Sequence, residues 1–386
     1  MPKIDLKNLD KSDWKTYRFD QIVKNVSERV EPAETELEIY IGLEHIDAES
    51  IHIKRFGKPS DVEGQKLKCY PGDVIFGKRR AYQRKASVVT TEAICSAHAF
   101  VLRANPEVID PKLLPFFLHS DLFMHRAVDI SAGGLSPTIN WGVLKIQDFL
   151  LPLKEQQTEL AELLWAMDEV VEKDLAVLEK LVQVKHSERN KIFFGYDRDL
   201  LTKEKNLDDG IEIISLADCC EIANNLRKPI NKEERQKLKG DYPYYGPTSI
   251  IDYISEYRIE GKYVLIGEDG DHFLKYATWY MTQYATGKFN VNNHAHILKG
   301  TDRCLTKWLY YTFQHRNIIP YLTKQGATRY KLNKDSLSNI PIIVPPVERQ
   351  IEYIKIFDGI EKSLSTIDSR ICASKALQKS LINEVF

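Results

Sequence analysis

The sequence predicts an α+β protein in which two related globular domains alternate with two long helices, the helices pairing as an antiparallel coiled coil. Two observations carry that prediction. Residues 152–193 and 345–386 repeat one another at an offset of 193, and the register runs back without a gap to Gly133 and Gly326. Ten of those 61 pairs are identical, among them Asn140/Asn333, Leu144/Leu337, Pro152/Pro345, Gln157/Gln350 and Phe193/Phe386. Identity so sparse gains weight because the apolar positions match too, as an internal repeat requires. Those apolar positions also advance in alternating steps of three and four, which keeps one stripe of a helix facing a partner.

Residues 1–151 read as the first domain. The segment 67–78 is a turn at Pro71-Gly72-Asp73 leading into a short buried strand. A basic run follows, with Lys78, Arg79, Arg80, Arg84 and Lys85 around Tyr82 and Gln83. Residues 94–102 read as one buried strand and 112–125 as one amphipathic helix. A Gly133-Gly134 turn then opens a polar loop through Ser136 and Thr138.

Residues 152–195 read as the first long helix, opening at Pro152 before acidic residues and stopping at Gly195. Its seam is Leu164, Met167, Val171, Leu178, Leu181 and Ile192, interrupted by Asp174, Lys185 and Glu188. A helix of some 36 residues is about 54 Å long. One such stripe cannot be left in water, and the second copy is the obvious partner. Two unrelated helices, each packed on its own domain, are the competing reading.

Residues 196–344 begin with a charged linker and then repeat the first domain loosely. The segment 263–267 mirrors 74–77; 291–298 aligns with 95–102, pairing His98 with His294; and 308–315 mirrors 112–119. Gly326 to Arg329 mirrors Gly133 to Ser136. Residues 345–386 are the second long helix, with Phe357, Ile360, Leu364, Ile367, Ile371 and Leu381 on its seam.

Composition narrows the class. With 43% apolar and 28% charged residues the chain resembles an ordinary water-soluble globular protein, and no apolar run approaches a membrane span. The six cysteines show no CxxC or zinc spacing and read as reduced thiols in a cytoplasmic protein. A net charge of −1 neither suggests nor excludes nucleic acid, but residues 155–179 carry eight acidic residues against Lys173 alone. That helix half should repel DNA and face protein or water.

No phosphate-binding glycine loop, Gly-x-Ser-x-Gly or His-Glu-x-x-His motif occurs, so no catalytic residues are assigned. Glu268, Asp269 and Asp271, with His272, His294 and His296 nearby, could hold a divalent ion for phosphodiester cleavage. The same run also suits a strand ending in a solvated turn, and His294 matches His98 in a domain lacking those carboxylates. Basic residues beside aromatic or small polar ones are the other candidate, since they can neutralise phosphates and touch base edges. Beyond the 78–85 run, Ser136 and Thr138, these are Arg227, Lys228, Tyr244, Tyr245, Lys275, Thr328, Arg329, Tyr330 and Lys331. A charge run is usually a solvated face, but here it recurs in both domains.

Here the residues carry a resemblance. The run Ser136…Asn140…Leu144-Lys145-Ile146…Leu150-Leu151-Pro152-Leu153-Lys154-Glu155-Gln156-Gln157 resembles the junction between recognition domain and helix in the specificity (S, HsdS-type) subunits of type I restriction–modification systems. Its second copy, Leu337…Ile340-Pro341-Ile342…Val344-Pro345-Pro346-Val347-Glu348-Arg349-Gln350, resembles it more closely, and the twofold layout covers the whole chain. Gln156 and Arg349 stand where that family tends to carry Glu. The resemblance implies a non-catalytic reader of double-stranded DNA whose two domains are target recognition domains. It implies two methyltransferase subunits and restriction subunits as partners. It implies no cofactor on this chain, with S-adenosylmethionine, ATP and Mg on the partners. A nuclease using Glu268, Asp269 and Asp271, and a coiled-coil interaction protein with no DNA role, are the alternatives. Mg-dependent cleavage and salt-dependent duplex binding would separate them.

Overall fold

The computed structural model describes residues 9–194, 210–325 and 329–386. Most of the expected 196–210 linker, the Gly195 stop and Thr328 fall outside them. Two compact units emerge, one made of residues 1–177 and 367–386, the other of residues 178–366. The boundaries cut through both long helices, so each unit owns one domain and a segment of each helix.

In the first unit the central strand Val74–Gly77 lies between Ala99–Ala104 and Ala86–Val88, with Val23–Val26 on the far side. Lys66–Cys69, Ala93–Cys95, Arg29–Val30 and Tyr40–Ile41 form a second four-stranded sheet. The single strand expected over 94–102 is therefore two, broken by a turn that moves the chain from one sheet to the other. The single helix expected over 112–125 is also two, Leu114–His119 and Asp121–Asp129. Ser120 separates them because its hydroxyl accepts from Phe123 N (3.2 Å) and caps the second.

The second unit has one six-stranded sheet, in which Ile259–Gly267 pairs with both Ala295–Gly300 and Thr282–Val291. The duplication holds at the level of register. Gly77 faces Ala99 in the first unit and Gly267 faces Ala295 in the second. Each long helix is preceded by an antiparallel ribbon, Lys15–Arg18 with Asp148–Leu151 and Glu212–Ser215 with Pro341–Val344.

The identical residues of the repeat occupy structural posts. Asn140 and Asn333 cap the short helices Trp141–Leu144 and Lys334–Ser338, each accepting at 2.7 Å. Gln157 is buried and accepts from Asp110 N (2.7 Å) while donating to Val108 O (3.0 Å) and Pro152 O (2.9 Å). Gln350 repeats this with Leu305 N (2.9 Å), Arg303 O (2.7 Å) and Pro345 O (2.7 Å). A buried amide so completely satisfied is costly to replace, which explains its persistence in both copies.

The long helices are Lys154–Arg189, closed by a π turn at Asn190–Phe194, and Val347–Val385. They run antiparallel within each unit. In the first, Gln378 donates to Leu164 O (3.2 Å) and Arg370 grips Asp174 (Nε–Oδ2 2.6 Å). In the second, Lys185 meets Glu361 (2.6 Å) and Phe193 stacks on Phe357 (centroids 6.0 Å). Of the expected seam, Leu164, Val171, Ile192, Phe357, Ile371 and Leu381 are buried. Met167, Leu178, Leu181, Ile360, Leu364 and Ile367 are half-buried, because a pair of helices leaves its flanks open. Asp168 rather than Met167 is buried at its turn, and its carboxylate meets His52 (2.5 Å). The polar interruptions Asp174 and Lys185 are thus buried side chains, ion-paired within the seam to the exposed Arg370 and the half-buried Glu361.

Candidate nucleic-acid interface

In both units the chain leaves the central strand into a loop that the main chain ties to the segment before the long helix. In the first, Lys78 N donates to His98 O (3.2 Å), Ile139 N donates to Lys78 O (2.9 Å), and Arg79 bridges Thr138. In the second, Glu268 N donates to His294 O (2.8 Å), Leu332 N donates to Glu268 O (2.7 Å), and Asp269 pairs with Lys331. Lys78 and Glu268 are therefore equivalent positions of opposite charge.

The basic run of the first unit divides by what its side chains hold. Arg84, in left-handed conformation (φ 52°), donates to His119 O (2.8 Å) and pairs with Asp121 (2.8 Å) and Glu49 (3.1 Å). The Lys85 ammonium donates to Leu43 O (2.5 Å). Both brace the fold, against their expected role as DNA contacts: Arg84 is already neutralised at short range and has little left for a phosphate, and the Lys85 ammonium is tied to a backbone carbonyl. Arg80 (φ 58°) donates to Ser136 Oγ from Nε (3.2 Å) and Nη2 (3.1 Å), joining the two loops. Arg79 has no side-chain partner among the described residues, and Tyr82 is 54% exposed. Gln83 lies half-buried beside it.

Beneath this loop lies a cleft of about 420 Å³. Arg29, Lys66 and Lys78 supply its charges, Phe100 and Trp141 its rings, and Asn25, Gln65, Thr138 and Asn140 its hydrogen-bonding groups; no carboxylate of the described residues lines it. Lys78 sits over the Phe100 ring (5.2 Å), and burial, then the nearby Arg29, holds its pKa below the ordinary lysine value. Burial and the neighbouring Arg79, Lys78 and Lys66 likewise lower that of His98. Such surroundings favour an anion. Arg29 and Lys66 escaped the sequence reading because they stand singly on short strands of the other sheet.

The second unit is balanced rather than basic. Arg227 donates to Glu268 (2.7 Å), to Asn293 O (3.2 Å) and to His296 Nδ1 (2.9 Å). His296 Nδ1 must therefore accept, leaving Nε2–H to donate to Leu332 O (2.7 Å), and burial lowers its pKa in keeping with that neutral ring. Lys331 lies 3.4 Å from the other oxygen of Glu268, Lys228 pairs with Glu256, and Lys275 with Asp271 (3.1 Å). Tyr244 is 0% exposed, its hydroxyl accepting from Ile230 N (2.9 Å) and donating to Lys228 O (2.8 Å), so it is a core residue and not a reader. Tyr245 is half-buried edge-on to Phe289. Arg329, Tyr330 and Lys331 form a strand paired with Thr323–Gln325, placing Lys324 on the same hairpin.

The alternative metal reading fails on geometry. Glu268 is held by Arg227 and Lys331, Asp269 by His294 (3.1 Å), and Asp271 by Lys275, and among the described residues no three ligand side chains converge. No described helix is long and apolar enough to cross a membrane.

Comparison with known proteins agrees with this layout. Residues 208–372 match the family described as type I restriction modification DNA specificity domain. A putative type I restriction enzyme specificity subunit of Haemophilus influenzae is 40% identical over 150 residues, 39% of this chain and 37% of that protein. The EcoprrI specificity subunit of Escherichia coli is 26% identical over 155 residues, 39% of this chain and 36% of that protein. The matching stretch thus spans less than two fifths of either relative. The crystal structure of a type I restriction–modification S subunit from M. genitalium superposes with a TM-score of 0.66 at 16% identity, covering 98% of each chain. A chain from a structural study of type I R-M complex assembly gives 0.53 at 17% identity, covering 96% of this chain and 97% of that one. Residues 208–372 are therefore similar to the type I restriction modification DNA specificity domain, and the chain shares the fold of the S subunit from M. genitalium.

Proposed function

We propose that this chain is the non-catalytic DNA-reading subunit of a cytoplasmic type I restriction–modification assembly. Each domain reads one half of a bipartite, asymmetric target in double-stranded DNA. The long helices serve two methyltransferase subunits and, where present, restriction subunits. S-adenosylmethionine, ATP and Mg belong to those partners. The observation that carries this reading is the pair of equivalent loops, held by the same main-chain bonds but bearing Lys78-Arg79 in one domain and Glu268-Asp269 in the other. One scaffold with two different reading surfaces suits two different half-sequences.

The test is a salt titration of duplex binding by the full chain. Removing one cation from a phosphate lowers the slope of log affinity against log salt by about one. Arg79→Ala should show that change, and Lys78→Ala likewise. An unaltered slope and affinity in both variants would remove this loop from the interface.

A further inference from the structure

Resting on that DNA reading, we propose that Leu135 is a wedge that the first domain inserts between stacked base pairs of its half-site. Leu135 is 97% exposed, more than any other large apolar side chain of the described residues. Its position is built rather than incidental. The loop beneath it is closed by Ala132 N donating to Thr138 O (3.1 Å) and Thr138 N donating to Ala132 O (2.9 Å). Gly133 turns the chain at φ 114°, a conformation side chains rarely adopt. Arg80 braces the far side, its N–H on Pro137 O (2.8 Å) and its guanidinium on Ser136 Oγ. An isobutyl group is thereby presented to water from a fixed base.

The surroundings select the occupant. Residues 78–85 and 131–140, the two segments that meet here, contain no acidic residue, and Lys78, Arg79 and Arg80 stand at the foot of the loop. An apolar tip on purely cationic ground fits a polyanion with an apolar interior, which describes a base-pair step between two phosphate backbones. Leucine is among the side chains that unstack and kink DNA in this way. In the 193-residue register position 328 is threonine, so the wedge belongs to the first domain only.

The experiment uses the full chain and a duplex target recovered by selection from a random-sequence library. Fluorescent 2-aminopurine for adenine and pyrrolocytosine for cytosine, substituted one at a time, together cover every base pair of the half-site. The wild type should raise the fluorescence of one step on binding. Leu135→Ala should lose that signal and bind about tenfold more weakly, as expected for returning a leucine's apolar surface to water. Its salt slope should not change, because every cation that meets a phosphate is still present. Leu135→Phe should retain the signal. A wild type with no unstacked step overturns the wedge, as does a Leu135→Ala variant with wild-type fluorescence and affinity. A wild type that selects no sequence from the library instead defeats the DNA reading itself.

Discussion

Lys185 is the most demanding side chain in the helix seam, and removing its partner is the sharpest test of how the seam holds. Its side chain is 5% exposed, with the ammonium 2.6 Å from Glu361, 3.0 Å from the Tyr280 hydroxyl and 4.4 Å from the Tyr280 ring centroid. Burial lowers the lysine pKa and Glu361 opposes that. Burial, with Glu361 nearby, pushes Tyr280 up to about 12, so the phenol stays neutral and cannot substitute for the carboxylate. Glu361→Gln keeps the shape and removes the charge. Breaking a fully buried pair costs about 3–5 kcal/mol. Glu361 is 28% exposed, so partial solvation reduces the expected loss to about 2 kcal/mol. For a unit of this size that lowers Tm by about 4–8 °C. The penalty carries a pH signature. Without Glu361 the folded-state pKa of Lys185 falls further below its unfolded value, so the unfolded chain binds more protons and stability rises with pH in that window. The gap between variant and wild type should therefore be widest near neutrality and narrow toward about pH 10, near the unfolded lysine pKa. Denaturant unfolding at pH 7 and pH 10 measures both. A variant within about 0.5 kcal/mol of wild type, or a gap that does not change with pH, would refute the account. The double variant Lys185→Met with Glu361→Leu should recover most of the stability, since apolar residues replace buried pairs well.

Arg84→Ala should lower stability by about 1–2 kcal/mol, leaving the His119 carbonyl unpaired and Asp121 without its cation, while the salt slope of DNA binding stays at the wild-type value; a reduced slope would return Arg84 to the interface. Glu268→Gln should release Arg227 and Lys331 from their shared carboxylate and steepen the salt slope by up to about two, read by anisotropy titration between about 50 and 200 mM salt. An unchanged slope would mean that neither cation can reach a phosphate. The His52–Asp168 tie should matter most at acid pH. Asp168 raises the His52 pKa, so the tie's stabilisation is full below about pH 6.5 and is lost as pH rises through the higher folded value. Asp168→Asn should flatten that dependence in unfolding measurements from about pH 5.5 to 8.5, and an unflattened profile would remove His52 as its source.

The helices and their pairing were legible because a repeated 3–4 apolar rhythm has one physical solution, and the strand segments 74–77 and 263–267 because both faces are buried. What the rhythm could not show is which polar breaks go inside. Asp174 and Lys185 read as gaps and Asp168 does not stand out, yet each is buried against a partner more than 100 residues away in sequence. Apolar spacing likewise missed the break at Ser120, which is a local cap on Phe123 N, and the sheet change between Cys95 and Ala99, which depends on pairing with distant strands. For the candidate interface, composition singled out a loop but could not rank its members. Arg79 and Arg84 are five residues apart in one basic run; one has no side-chain partner among the described residues and the other is locked to Asp121, Glu49 and the His119 carbonyl. Only the fold separates them.

The same limit explains how two copies of one scaffold can present opposite surfaces. The residue that follows each central strand is tied in place by main-chain bonds, Lys78 by His98 O and Ile139 N, Glu268 by His294 O and Leu332 N. Main-chain bonds are blind to the side chain they carry, so the charge at this position can change sign without disturbing the strand register. Reversal does impose a local cost, because Glu268 is mostly buried. The second domain meets it with Arg227 and Lys331 on the carboxylate, and with His296 held neutral as acceptor for the same guanidinium. Those cations are what a composition-based reading counts as DNA contacts. In the first domain the position carries a lysine, no carboxylate of the described residues lines the cleft, and the half-buried Arg79 has no side-chain partner among them. The duplicated frame therefore fixes where each domain can touch a partner. Which partner chemistry it prefers is set by a few side chains whose meaning depends on what already neutralises them.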